Sequence, residues 1–112
     1  MARKEYLTLE ERTRFDNPPQ LLSEQKGLFL QIPEWASNYL KTLHTPTNQV
    51  GFLLQLGYFH VVSRFFNSNR FIQADIDYVV IRIRTDPNQI NFTDYFRTTY
   101  CRHQEEILKQ LG

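Results

Sequence analysis

Thr47 to Arg64, TNQVGFLLQLGYFHVVSR, is the stretch that most limits what this chain can fold into. Val50, Phe52, Leu53, Leu54, Leu56, Tyr58, Phe59, Val61 and Val62 fall on every face of a helical wheel, the pattern of a helix surrounded by other elements. The run is long for a strand and does not alternate, and Thr47 or Asn48 stands ready to cap a helix by accepting an orphan backbone N–H. Gly51 and Gly57 interrupt it. Each costs a helix roughly 1 kcal/mol relative to Ala, so the sequence predicts close approach of another backbone at both. A central, buried helix is expected.

Around that helix the chain has room for one core. Its 112 residues are 41% hydrophobic and 14% aromatic, enough to bury a single Phe- and Tyr-rich interior. One helical domain over residues 1–112 is expected. The formal net charge of +1 supplies no overall field, so any basic surface must arise from local segregation of charge. The single cysteine, Cys101, excludes an internal disulfide, and no apolar run reaches the roughly 20 residues that span a bilayer. With no signal-peptide layout, a cytoplasmic protein without a membrane partner is expected.

Taken in order, the charged end Met1 to Tyr6 reads as a solvated terminus or, through Arg3 and Lys4, an arm on phosphate. Thr8 and Glu11 form a capping box for a short helix that stops before Pro18 and Pro19. A turn or short helix near Ser23 is broken at Gly27. Pro33 suits a first helical position, and Trp35, Ala36, Tyr39, Leu40 and Leu43 predict a helix to about His44.

After the central helix, Phe65 to Phe71 is a connection whose aromatics fold back on the core. Ile72, Ile76, Val79, Val80 and Ile83 make a helical stripe, with Asp75, Asp77, Arg82 and Arg84 mainly off it; the run VVIRI leaves a strand as the other reading. Asp86-Pro87-Asn88 ends that element. Thr93 or Asp94 caps a short turn carrying Tyr95 and Phe96, and a last helix opens near Thr99 with Ile107, Leu108 and Leu111 inward. The fold class expected is all-α, a compact bundle of about five helices, helix-turn-helix-like.

Unaided, these residues offer little chemistry. Cys101 and His103 stand two apart, which splays them on a helix, and no third residue completes a triad or a metal site. Asp75 and Asp77 are splayed likewise and are explained by a helix start. No catalytic residue, metal or cofactor is expected.

NQVGFLLQLGYF followed by Arg64 resembles the N-terminal domain of transposases of the Tn-three family of replicative bacterial transposons, where an Asn, a Gly-Phe, a Leu-Gln-Leu and a Tyr recur in this order. LTLEER resembles the opening of that domain. RTTYCRHQEEILKQLG resembles its close, with Arg102, His103, Ile107, Leu111 and Gly112 in the family's order. Where the family commonly has Pro-Gly before the Arg, this chain has Val62-Ser63, which leaves the turn into Arg64 unspecified. Family chains run on beyond the Leu-Gly, and their catalytic acidic residues lie downstream, so this chain is expected to be a non-enzymatic piece whose partners are the rest of a transposase and double-stranded DNA.

The resemblance implies binding to the terminal inverted repeats of a transposon. Such a domain needs polar side chains at a helix start to reach base edges, and cations or backbone N–H groups on phosphate. Two places fit: Thr47, Asn48 and Gln49 with Arg64 and Arg70, and Thr98, Thr99, Arg102 and Gln104 at the last helix. Two other classes share the sequence features. A stand-alone helix-turn-helix regulator would dimerise on a palindromic site. A protein-interaction module would expose an aromatic patch, for which Phe65, Phe66 and Phe71 are the residues to inspect.

Overall fold

The computed structural model describes residues 18, 23–29, 31–95 and 97–111. Among them are five α-helices and no strand: α1 (Ser23–Phe29), α2 (Glu34–Leu40), α3 (Pro46–Val62), α4 (Gln73–Arg82) and α5 (Arg97–Leu111), with 3-10 turns at Ser68–Arg70, Pro87–Gln89 and Phe92–Asp94. The capping-box helix read near Thr8 lies outside the described residues. No helix among them is long and apolar enough to cross a membrane.

α3 is the hub, packed against α1, α4, α5 and the Phe92–Asp94 turn. Every residue from 50 to 58 is buried, Gln55 included. Its start lies earlier than the sequence suggests. Thr45, not Thr47 or Asn48, is the cap: its hydroxyl accepts from the Asn48 N–H at 3.2 Å, and Pro46 takes the first helical position, where a missing N–H costs nothing. At the other end Ser63 adopts a left-handed conformation (φ 57, ψ 36) and its N–H returns to the Phe59 carbonyl at 2.8 Å. The turn into Arg64 is therefore made by a serine in the conformation that usually selects glycine.

The two glycines of α3 do mark close approaches, but of aromatic rings rather than backbone. A Cβ on Gly51 would lie 2.6 Å from Cζ of Tyr95, and one on Gly57 2.6 Å from Cε2 of Phe29. Gly27 does not break α1; the helix runs through it, and nothing lies within 4 Å of where its Cβ would be. α2 stops at Leu40, short of His44.

The strand reading of VVIRI is excluded, since Gln73–Arg82 is helical with Ile76, Val79 and Val80 buried. Asp75 does stand in the first turn of α4, as a helix-start residue should, but it is also buried and accepts from the Tyr58 hydroxyl at 2.6 Å. Asn91, rather than Thr93 or Asp94, caps the following turn, its side chain accepting from the Thr93 N–H at 3.1 Å. α5 opens at Arg97 and buries His103 and Ile107, while Leu108 and Leu111 are 46% and 42% exposed, not inward. The buried face of the helix runs through His103 and Ile107, four apart, which turns Leu108 and Leu111 outward. Phe66 and Phe71 are buried and Phe65, half-buried, stacks on Phe59 at 4.9 Å, so the connection does fold back on the core.

Candidate nucleic-acid interface

The first half of α5 is a ridge between two grooves. On one flank Tyr100 and Gln104, four apart and so on one face, line a groove of about 470 Å³ with Arg64, Asn67 and Arg70. On the other, Thr99, Arg102 and His103 line a groove of about 420 Å³ with Asn48, Thr45 and Tyr39. The two sets named from sequence are thus recombined. Arg64 and Arg70 join Gln104, whereas Asn48 joins Thr99 and Arg102.

Arg64 and Arg70 reach their groove because the loop after α3 is tied down from inside. Gln55, fully buried in α3, donates from Nε2 to the Phe66 carbonyl at 2.9 Å and accepts the Phe66 N–H at 3.3 Å. The Arg64 guanidinium carbon lies 5.3 Å from the centre of the Phe66 ring, within cation–π range. Arg70 closes the 3-10 turn, its N–H bonding the Asn67 carbonyl at 2.8 Å. An amide that satisfies both backbone polar groups of one residue makes that residue's position a property of the core.

Two residues of the first set point elsewhere. Thr47 is 6% exposed; its hydroxyl donates to the Gln89 carbonyl at 3.2 Å and accepts the Asn91 N–H at 2.9 Å, so it splices the 87–91 segment to α3 and is not placed to read DNA. Gln49 donates from Nε2 to the Leu43 carbonyl at 3.0 Å and lines a different hollow with Ser37, Lys41 and Ile83. Thr98 is exposed in the first turn of α5 and lines neither groove.

Charge is segregated along the chain despite the small net charge. No Asp or Glu occurs between Glu34 and Asp75, and none between Tyr95 and Glu105; these two acid-free stretches furnish every described residue lining the two grooves. Sequence reasoning missed this signal by counting charge over the whole chain. Burial pushes the Tyr39 hydroxyl up, Glu106 adds to the rise, and Arg102 opposes it, so both charges act at the rim of the second groove. Among the described residues no group of three or more His, Cys, Asp and Glu is placed to hold a metal ion.

His103 is the other residue missed. It is 1% exposed, its Nδ1 is 2.6 Å from the Tyr95 hydroxyl, and burial lowers its pKa from the usual 6.5 to about 4, so the imidazole is neutral near pH 7. Burial also raises the Tyr95 hydroxyl, a rise that a hydrogen bond from Gln55 partly offsets. Buried polar pairs thus lie beside both grooves, Gln55 with the Phe66 backbone at one and Tyr95 with His103 at the other. A His two residues from a Cys carries no such signal in one dimension.

The profile of a family described as "Domain of unknown function (DUF4158)" matches residues 6–112. No curated protein and no solved structure matches the chain.

Proposed function

The chain belongs to the DUF4158 family, and from that membership, the Tn-three resemblance and the two grooves we propose that it is the DNA-binding part of a Tn-three-like transposase, recognising terminal inverted repeats without catalysing strand chemistry itself. Domains of this family are commonly found in transposases. The observation that carries the reading is the ridge of α5 with Arg64, Arg70 and Gln104 on one side and Asn48, Thr99 and Arg102 on the other, in grooves lined by no carboxylate among the described residues. A ridge with polar side chains at a helix start suits a major groove, and guanidinium groups on its flanks suit the phosphates that border it. Asn48 can pair bidentately with an adenine edge. In this reading the remainder of the transposase supplies the catalytic acids.

Fluorescence anisotropy on a duplex carrying the transposon end, against a scrambled duplex, over a salt series tests it. Tighter binding to the end is expected, with a slope of about −0.9 for each phosphate neutralised. Arg64→Ala and Arg102→Ala should weaken both duplexes alike and each flatten the slope by about one unit. Equal affinity for the two duplexes leaves a nonspecific binder; a dimer that needs a palindrome favours the stand-alone regulator. The interaction-module reading gains nothing from Phe66 and Phe71, which are buried.

A further inference from the structure

Three 3-10 turns follow α3 among the described residues, and each is preceded by a side chain able to cap it: Asn67 before Ser68–Arg70, Asp86 before Pro87–Gln89 and Asn91 before Phe92–Asp94. Asp86 accepts from the Asn88 N–H at 2.9 Å and Asn91 from the Thr93 N–H at 3.1 Å, the ordinary use of Asp or Asn at such a place. Asn67 makes no such bond. It lines the groove of about 470 Å³ instead, together with Arg64, Arg70 and Gln104.

An exposed amide outside a cap is solvated at little cost, so its freedom by itself selects nothing. What distinguishes Asn67 is the backbone that carries it. The preceding residue, Phe66, has its N–H and its carbonyl both bonded to the buried Gln55, at 3.3 and 2.9 Å, and the Asn67 carbonyl accepts the Arg70 N–H at 2.8 Å. The main chain is thus held on both sides of a side chain that its own turn does not use. Such pre-organisation reduces the ordering that binding would otherwise require. The Arg64 guanidinium, 5.3 Å from the Phe66 ring, and Arg70, which closes the turn, line the same groove, and no carboxylate among the described residues lines it.

We propose that Asn67 is a specificity-determining residue that reads one A·T pair of the transposon end from this groove, its side-chain carbonyl accepting from the adenine N6 amino group and its amide N–H donating to N7. The inference rests on the DNA-binding reading above and adds to it a second reading position, on the other flank of α5 from Asn48. A carboxamide presents a donor and an acceptor side by side, the complement of an adenine edge in the major groove. Arginines on phosphate beside it fix the register of the duplex and choose no base, so the choice falls to the amide between them in the chain.

Fluorescence anisotropy on the transposon-end duplex, a scrambled duplex and a set of end duplexes, each with one A·T pair changed to G·C, tests the assignment. In the parent chain, changing the pair that Asn67 reads should weaken binding about tenfold. In Asn67→Ala that penalty should vanish at this one pair, while the penalties at other pairs, the affinity for scrambled duplex and the salt slope stay as in the parent. Asn67 is exposed and its side chain does not cap its turn, so the variant keeps the fold. An Asn67→Ala chain that retains every penalty, or that binds all duplexes more weakly alike, overturns the assignment and leaves the DNA reading in place. A parent chain that binds the end no tighter than scrambled duplex overturns both.

Discussion

The Tyr58 hydroxyl donates to Asp75 Oδ2 at 2.6 Å, joining two buried side chains on α3 and α4, and the same oxygen accepts the Ile72 N–H at 3.3 Å. A single phenol thereby ties the start of α4 to the C-terminal half of α3. Tyr58→Phe keeps the ring among Phe29, Phe66 and Phe71 but takes a donor from a buried carboxylate. A loss of about 1.5–3 kcal/mol in urea unfolding is expected.

Alkaline pH should find the same bond. Burial first, then Asp75, raises the Tyr58 hydroxyl above its usual 10.0, and burial raises Tyr95 as well. The folded chain therefore keeps these protons to higher pH than the unfolded one. Their stabilisation is complete below pH 10 and is lost as pH rises beyond it. Melting temperatures should fall above about pH 10, less steeply in Tyr58→Phe.

At the acid end the sign reverses. His103 holds its proton only below about pH 4 in the folded state against 6.5 normally, so the folded chain binds fewer protons between those values. Stability should be complete above 6.5 and fall by up to about 3 kcal/mol as pH drops towards 4. Half-buried His60, also lowered by burial, adds in the same direction. Thermal melts of His103→Gln should show a flatter decline across this window; a decline as steep as that of the parent chain would assign the effect to other groups.

The glycines should separate by what surrounds them. Gly57→Ala drives a methyl into the buried Phe29 ring and should cost about 1–3 kcal/mol. Gly27→Ala meets open space in a helix and should stabilise by up to about 1 kcal/mol. Chemical denaturation of the two variants decides; the same sign for both would mean that packing does not set the difference.

Adjacent residues at the start of α3 should part company on DNA. Asn48→Ala is expected to cost about 1–3 kcal/mol on the specific duplex with the melting temperature little changed, because Asn48 lines a groove. Gln49→Ala should do the opposite, since its amide serves the Leu43 carbonyl. Thr47→Val should likewise lower stability and spare affinity, having lost both bonds to the 87–91 segment.

Much of the architecture was legible in one dimension. A run with no polar middle declares a buried helix, two glycines within it declare close neighbours, and the stripe from Ile72 to Ile83 declares an amphipathic one. Helix ends were read less well, because Thr45, Thr47, Asn48, Asn91 and Thr93 all have the chemistry of a cap, and only the backbone selects between them.

What the sequence by itself determined was the set of surfaces that must be hidden, since burial of apolar side chains follows periodicity and is indifferent to the identity of the partner. Only the tertiary structure decided the fate of the polar residues. Asp75 goes inside because Tyr58, 17 positions away, brings it a donor, and His103 because Tyr95 does. Thr47 is occupied by segments 42 and 44 positions distant, while Arg64, Arg70 and Gln104 meet in one groove although no local pattern links them. A polar group is buried or presented according to whether a partner arrives to satisfy it, and hydrophobic periodicity does not say which partner, near or distant, the fold will bring.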